Sequence, residues 1–243
     1  MKKPGTLLLI CNLVMASCTS GLIGSKTANE TADVSSADSK ETITPENAER
    51  ILKKYIIDFE IPNPLYGGLE NPTRRNDPNH EPTINCRGAL LNDYSTEAHI
   101  LFQCDSDSLK GEQCEVFRKT YYKNNVSEGT FRILLTMESG FSDKSMDPDY
   151  WAFYIENSRG VMIEPSEIRT SPVTAANDSV YSAYYRKNSP RNLIKRTITL
   201  YFKNMTFFGQ NMFSPENPSI VLVMSRKQKI VARIAWKLLR TPK

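Results

Sequence analysis

Hydrophobic and polar residues alternate along several stretches of this chain. Phe131, Ile133, Leu135 and Met137 stand at every second position, with polar or charged side chains at most of the positions between them. Because successive side chains of a strand point to opposite faces of a sheet, this period of two predicts half-buried β-strands. The same alternation recurs at residues 151–155, 198–202 and 230–239, and the apolar run at 220–224 predicts a further strand.

Short strands separated by turn residues, with no helical periods between them, are typical of an antiparallel sandwich. Residues 157–160 form such a turn signal and predict a hairpin into residues 161–163. We therefore expect a mainly β protein, an antiparallel β-sandwich of the immunoglobulin-like type. In its last strand the buried face should contain Ala232, Ile234, Trp236 and Leu238, and the exposed face should contain Arg233 and Lys237.

One helix is predicted before the sandwich. Thr44 is a suitable N-cap, Pro45 suits the first helical position, and Pro62 and Pro64 would end the helix. Its apolar residues recur with a helical period and form one stripe that should pack on the sandwich: Ala48, Ile51, Leu52, Tyr55, Ile56 and Phe59.

Two stretches predict no regular structure. Residues 19–41 are almost devoid of bulky apolar residues after Ile23, so we expect a flexible tether there. Residues 62–83 are rich in proline and glycine, and such a long loop is either functional or a strap that covers a sheet edge.

The amino terminus has the order of an export signal. Lys2 and Lys3 precede an apolar run that is too short to span a bilayer, and Cys18 follows a pair of small residues. The segment 15–18 resembles the lipobox of bacterial lipoproteins, which implies that the Cys18 sulfur receives a diacylglycerol. The expected organisation is a signal peptide at 1–17, a lipidated cysteine and tether at 18–43, and a folded domain at 44–243.

Three further cysteines would remain in the mature protein. Export makes a disulfide chemically reasonable, and Cys104 and Cys114 are close enough in sequence to bridge a hairpin loop. Three buried thiols, with Cys86 as the third, are an equally open alternative. Metal ligation is disfavoured because the chain has no C-x-x-C pair and only two histidines.

The net charge of +4 is too small to argue for nucleic acid as a partner. Cations are concentrated in the last quarter of the chain. We interpret them as solvated strand faces and edge charges, and the functional alternative is a patch for anionic lipid head groups. They are Lys187, Arg191, Lys195, Arg196, Lys203, Arg226, Lys227, Lys229, Arg233 and Lys237.

No catalytic motif is present: the chain has no nucleophile elbow, H-E-x-x-H, phosphate-binding loop or dinucleotide fingerprint. His80 lies in the proline-rich loop, and His99 is expected on a strand. Two acidic loops could hold calcium but are better explained as solvated turns: Asp105, Asp107, Glu112 and Glu115, then Asp143, Asp147 and Asp149. Exposed aromatic residues could stack on a sugar, although strand packing is favoured: Tyr121, Tyr122, Tyr150, Trp151, Tyr181, Tyr184 and Tyr185.

Residues 45–240 resemble a loose group of bacterial lipoproteins of unassigned function. The resemblance rests on the strand at 151–157 that runs into Gly160 and Pro165, and on a closing strand that reaches Trp236. It implies a helix before a β-sandwich and carries over no catalytic residue.

These observations predict a lipid-anchored envelope protein. We expect a non-enzymatic binding or structural module without a cofactor, held on a membrane by acyl chains on Cys18, with an unidentified protein or glycan partner. Thr19 is not the aspartate that retains such proteins at the inner membrane, which favours the outer membrane. The alternative is an envelope hydrolase or carbohydrate-binding protein that uses exposed aromatic residues and an acidic loop.

Overall fold

The computed structural model describes residues 28–35, 41–62, 83–139, 144–175, 194–207, 209–214 and 217–239. These residues form three α-helices, eleven β-strands and two short 3-10 helices, Lys144–Met146 and Pro148–Tyr150. The helices are α1 (Pro45–Lys53), α2 (Asp93–Ser106) and α3 (Glu112–Asn125). The strands are β1 (Ala28–Ser35), β2 (Ile56–Pro62), β3 (Thr83–Leu91), β4 (Thr130–Ser139), β5 (Ala152–Asn157), β6 (Met162–Ile163), β7 (Glu167–Thr170), β8 (Thr174–Ala175), β9 (Ile194–Lys203), β10 (Ser219–Arg226) and β11 (Lys229–Leu239).

The strands form two sheets. The first, called the β10 sheet, has the order β1-β11-β10-β5-β6, and the second, the β4 sheet, has the order β2-β3-β4-β9-β7 with β8 also paired to β9. The β1–β11 pair is parallel, and the other pairs are antiparallel. The expectation of a mainly β, two-sheet protein is confirmed.

The hydrophobic core lies between the sheets and contains the alternating residues that predicted the strands. Phe131, Ile133, Leu135 and Met137 of β4 are buried in one cluster. The cluster also includes alternating side chains of β5, β9, β10 and β11: Phe153, Ile155, Ile198, Leu200, Phe202, Ile220, Leu222, Met224, Ala232, Ile234 and Trp236. The prediction of buried faces from the period of two is confirmed for β4, β5 and β9 and, up to Trp236, for β11. The side chain of Leu238 lies outside the described residues. None of the helices in the described part of the chain is long and apolar enough to cross a membrane.

The predicted amino-terminal helix is wrong beyond Lys53. Helix α1 does begin after Thr44 with Pro45 in its first turn, but the chain then enters β2 and pairs antiparallel with β3. In β2, Ile57, Phe59 and Ile61 are buried and the two acids between them are exposed. The β-branched residues suit a strand, and a neighbouring strand buries them better than one more helical turn would.

The expectation of a single helix is also wrong, because α2 and α3 form a helical hairpin between β3 and β4. Helix α2 begins with a capping box in which the Ser95 N–H donates to Asn92 Oδ1 and the Asn92 N–H donates to Ser95 Oγ, both at 2.9 Å. His99, expected on a strand, lies in the middle of α2. Helix α3 follows Gly111, whose φ of 51° is readily adopted by glycine.

The flexible tether expected at residues 18–43 is wrong for residues 28–35. These residues form β1, in which Ala28 lies opposite Ala232 and Ser35 lies opposite Leu239. An edge strand is stabilised by its backbone hydrogen bonds with one neighbour, so it does not require the bulky apolar residues that this segment lacks. Ala28 and Ala32 still pack against the core.

Trp236 connects the two sheets. Its side chain is fully buried, and its indole N–H donates to the carbonyl oxygen of Tyr55 at 2.9 Å, at the junction of α1 and β2. A Cβ atom added to Gly88 of β3 would lie 3.5 Å from the indole ring. The ring of Trp236 therefore packs against the opposite sheet at a position without a side chain.

We expect Trp236→Ala to lower the free energy of unfolding by about 3–5 kcal/mol, because it removes a large buried side chain and leaves a cavity. The matched control is Lys237→Ala, whose exposed side chain should contribute less than about 0.5 kcal/mol. Equilibrium denaturant unfolding of the chain from Thr19 onward measures both values. A costly Lys237→Ala and a silent Trp236→Ala would show that the faces of β11 are reversed.

Candidate binding sites

Several of the sequence-predicted site residues lie outside the described residues. These are Cys18, His80, Asp143, Tyr181, Tyr184 and Tyr185, together with Lys187 and Arg191 of the basic group. The lipidation of Cys18 stays a prediction.

Cys104 and Cys114 form a disulfide, with their Cα atoms 5.5 Å apart. The predicted pairing is therefore confirmed, and the alternative of three free thiols is wrong. The bond joins the carboxyl-terminal part of α2 to the first turn of α3 and closes the loop of a helical hairpin. Cys86 on β3 is a buried thiol whose pKa is raised above its ordinary value, first by burial and then by the neighbouring Glu138 and Glu60. A buried thiol that stays protonated is a poor nucleophile.

The acidic loops do not assemble into a metal site. Among the described residues no group of three or more histidine, cysteine, aspartate or glutamate side chains could hold a metal ion. The Asp107 carboxylate accepts from Gln103, Glu115 pairs with Arg118, and Asp147 pairs with Arg196. The carboxylates thus take part in local surface contacts.

The aromatic pair Tyr150 and Trp151 belongs to the core. Both side chains are buried, and the Trp151 indole N–H donates to the Ser145 carbonyl at 2.7 Å. Tyr121 and Tyr122 lie half-buried on α3. Tyr150 and Trp151 therefore have no exposed ring on which a sugar could stack.

Several cations of the basic group have specific partners. Arg196 pairs with Asp147, Arg233 pairs with Glu156 at 2.7 Å, and the guanidinium of Arg226 lies 3.8 Å from the ring centroid of Tyr150. These contacts fit the interpretation of the cations as strand-face charges.

A cluster of polar side chains surrounds Arg132 on the outer face of the β4 sheet. Arg132 is only 2% exposed, and its terminal nitrogens donate to Thr96 Oγ1 at 3.0 Å and to the Tyr121 hydroxyl at 3.3 Å. These bonds place α2 and α3 over this end of the sheet. Tyr201 of β9 lies directly opposite Arg132 across the β4–β9 pair and is 2% exposed. We call Thr96, His99, Tyr121, Arg132 and Tyr201 the Arg132 cluster.

His99 completes the cluster from α2. Its ring centroid lies 5.5 Å from that of Tyr121. Burial, and secondly the charge of Arg132, lower the pKa of His99 from 6.5 to about 4. Burial is also the main reason that the pKa of Tyr121 is raised. Near neutral pH, His99 and the Tyr121 hydroxyl are therefore both uncharged, and Arg132 is the cation of the cluster.

Sequence reasoning missed the Arg132 cluster. In β4, Arg132 occupies a position that the period of two assigns to the solvent-facing side. One signal in the sequence could have revealed that helices cover Arg132: the Asn92-x-x-Ser95 capping box that begins α2.

A second candidate site is the hairpin between β9 and β10. Met205 and Asn211 form an antiparallel bridge, and the Thr206 N–H donates to the Gln210 carbonyl at 2.8 Å. At its tip Phe207 is 98% exposed, and Met205 is 58% exposed. We call residues 205–207 and 209–211 the Phe207 hairpin.

The base of the Phe207 hairpin is tied to the sandwich. The Asn204 N–H donates to the Gly129 carbonyl at 2.8 Å, and the Met212 N–H donates to the Asn204 carbonyl at 2.7 Å. Met212 is fully buried, and Asn217 Nδ2 donates to the Asn211 carbonyl at 2.6 Å. An exposed aromatic side chain on a firmly connected turn is a suitable contact for a binding partner.

The chain matches no protein-family model and no curated protein.

Titration of His99 should make the protein less stable in acid. Its pKa in the folded protein lies below the unfolded value, so the unfolded chain binds the proton more tightly between pH 6.5 and 4. Stability from this group is present above about pH 6.5 and falls as the pH drops to about 4, by an amount of order 3 kcal/mol.

His99→Gln removes this titration, so the free energy of unfolding should fall less between pH 6.5 and pH 4, by a comparable amount. Denaturant unfolding of both proteins from pH 7.5 to pH 4 measures the difference, and the carboxylates contribute equally to both curves. Parallel curves for the two proteins would contradict the assignment of a half-buried, neutral His99.

Proposed function

We propose that this protein is a lipid-anchored, non-enzymatic binding module of the cell envelope, held by acyl chains on Cys18, with the outer membrane as the preferred location. The order of residues 1–18 supports the anchor. The Cys104–Cys114 disulfide supports an oxidising compartment outside the cytoplasm.

We also propose that the sandwich is immunoglobulin-like, and the strand order supports this. In that fold one sheet has the order A-B-E-D and the other contains G-F-C-C′. The strands β3-β4-β9-β7 and β11-β10-β5-β6 follow these two orders when they are lettered along the chain. Strands β1 and β2 and the helical hairpin α2–α3 are then additions to the common frame.

The position of β1 sets the orientation of the domain relative to its anchor. Nine residues, 19–27, separate Cys18 from Ala28, and nine residues extend over at most about 32 Å. Ala28 lies beside Ala232, near the β10–β11 turn. The chain thus enters the β10 sheet near the turn that contains Lys227 and leads into β11 at Lys229.

The Phe207 hairpin adjoins the other end of the β10 sheet. Asn157 Nδ2 lies 3.9 Å from Met212 Sδ, and Asn157 pairs with Ile220 near the start of β10. Ile220 and Met224, which lies opposite Ala232, are four residues apart, so roughly 14 Å of strand separates this end from Ala28. With Cys18 as the anchor, the hairpin would thus lie at the end of the β10 sheet opposite to the one where the anchored chain enters, which supports a contact with a partner in the surrounding compartment.

The observation that carries the binding function is the exposed Phe207 on this hairpin. Burying such a side chain contributes about 1.5–3 kcal/mol, and its rigid base limits the entropy lost on binding. Lys203 is exposed where β9 leads into the hairpin. We propose that the occupant is an envelope protein with an apolar pocket for Phe207 and Met205, bordered by carboxylates that face Lys203.

Cys18→Ala should abolish lipid attachment, because the thiol is the acceptor of the diacylglycerol. Metabolic labelling with a fatty-acid analogue, followed by membrane fractionation, measures the loss. The matched control is Cys86→Ala, which removes a buried thiol of the folded domain and should leave labelling intact. Label that persists in Cys18→Ala would refute the anchor. It would not affect the proposal that the Phe207 hairpin binds a partner.

A photo-crosslinking phenylalanine analogue at position 207 should give one discrete protein adduct in intact cells, because this side chain is buried at the proposed interface. The same analogue at Gln228, which is exposed in the β10–β11 turn, is the control and should not give that adduct. Met205→Ser and Lys203→Glu should each lower the adduct yield several-fold. Adducts with lipid, or yields unchanged by both substitutions, would contradict a protein partner of this chemistry.

A further inference from the structure

Arg132 is a buried cation that has no carboxylate partner in the described part of the chain. Its described contacts are the hydroxyls of Thr96 and Tyr121 and the ring of Tyr121, whose centroid lies 5.2 Å from the guanidinium carbon. Among the described residues no acidic side chain pairs with it. An arginine keeps its proton in proteins, so the charge cannot be removed by titration. A buried, uncompensated charge is costly, and buried charges are ordinarily paired.

The groups around Arg132 are hydrogen-bond donors that lack acceptors. The Tyr201 hydroxyl is buried and has no hydrogen-bond partner. The hydroxyls of Tyr121 and Thr96 accept from Arg132, and neither donates to another side chain in the described part of the chain. A guanidinium has five N–H donors, of which Arg132 uses two in these bonds. The cluster therefore combines spare N–H groups with three hydroxyl protons.

The carboxylates nearest to the cluster in the sequence have other partners. Glu97, next to Thr96 on α2, pairs with Arg118 at 2.6 Å and accepts from the Tyr122 hydroxyl. Glu167, opposite Tyr201 on β7, pairs with Arg169, and the guanidinium of Arg169 lies 4.7 Å from the ring centroid of Tyr201. Within the described ranges, the surroundings of Tyr201 thus contain a second cation and no acid that lacks a partner.

We propose that the Arg132 cluster is a binding site for a carboxylate group, held by the Arg132 guanidinium and the hydroxyls of Tyr201 and Tyr121. A carboxylate has two oxygens that accept several hydrogen bonds, and its planar shape matches the fork of an arginine. It would supply both the missing negative charge and the missing acceptors. A carboxylate is the chemistry shared by a free small acid and by a larger ligand whose acidic end reaches beneath α2 and α3.

Helices α2 and α3 cover the Arg132 cluster, and α3 is the more exposed of the two. None of its residues is fully buried, whereas α2 has six buried residues. The disulfide fixes the start of α3 to α2, and Tyr121 lies two turns further along the helix. A ligand can therefore enter by displacement of the carboxyl-terminal half of α3, while the disulfide keeps the hairpin attached.

Tyr201→Phe is the decisive variant, because it removes one hydroxyl that has no partner in the empty protein. It should leave the thermal midpoint unchanged or slightly raised without ligand, and it should weaken carboxylate binding about tenfold. Tyr154→Phe is the matched control, since Tyr154 is a half-buried tyrosine on β5 of the other sheet. Arg132→Lys retains the charge but loses the fork, and it should weaken binding at least as much.

The probe is sodium acetate, titrated against sodium chloride at constant ionic strength and neutral pH while the thermal midpoint is measured. Acetate at about 100-fold over its dissociation constant should raise the midpoint of the wild-type chain by about 5 °C or more. The half-saturating acetate concentration should be unchanged in Tyr154→Phe and about tenfold higher in Tyr201→Phe. If Arg132→Lys does not fold, the tyrosine pair decides the question.

Three results would overturn the proposal. The first is an acetate titration that leaves the wild-type midpoint unchanged, which would mean that water alone solvates Arg132. The second is equal stabilisation by chloride, which would rule out selectivity for a carboxylate. The third is an equal acetate response in Tyr201→Phe and the wild-type chain, which would separate any acetate effect from the Arg132 cluster. None of these results bears on the anchor or on the Phe207 hairpin.

Discussion

The carbonyl oxygen of Tyr55 is the point at which the main parts of the fold meet. It accepts the backbone N–H of Leu90 at 3.0 Å and the indole N–H of Trp236 at 2.9 Å. One acceptor thus joins the end of α1, the β4 sheet and the β10 sheet. Because Trp236 is fully buried, losing this bond would leave a polar group without a partner in the core. The absence of a side chain at Gly88 gives the indole the space to approach. The packing of the two sheets therefore depends on this contact.

Much of the sandwich could be predicted from the sequence, because a strand with one buried face leaves a clear period of two. That period identified the buried residues of β4 and β11. It could not find β1, whose edge position depends on backbone hydrogen bonds. It also could not separate α1 from β2, because Ile51, Tyr55 and Phe59 fit the spacing of one long helix. The choice between helix and strand there depends on β3, which is distant in sequence and supplies the pairing partner.

The Arg132 cluster could not be predicted for a related reason. A pattern of alternate burial shows that two faces differ, but it does not show what covers the polar face. Farther along the same outer face, Thr136 and Thr197 share a hydrogen bond and Arg87 pairs with Asp58 near solvent. The helical hairpin covers only the end that contains Arg132. Arg132, which the alternation predicts to be exposed, is thereby buried, and its charge then costs free energy that an exposed arginine would not cost.

The core between the sheets differs from the two candidate binding sites in how well its groups are packed and hydrogen-bonded. The core between the sheets is filled by side chains from both, and its tryptophan N–H groups are hydrogen-bonded to backbone carbonyls. Two features lie outside this core: the buried Arg132 cluster, whose Tyr201 hydroxyl has no hydrogen-bond partner in the described part of the chain, and the exposed tip of the Phe207 hairpin. Both features cost stability, since Arg132 has no counter-charge among the described residues and Phe207 exposes apolar surface to water. A bound carboxylate would offset the first cost and an apolar partner the second. The two costs arise in segments added to or projecting from the sheets, so ligand binding at either place would leave the Tyr55–Trp236 contact undisturbed.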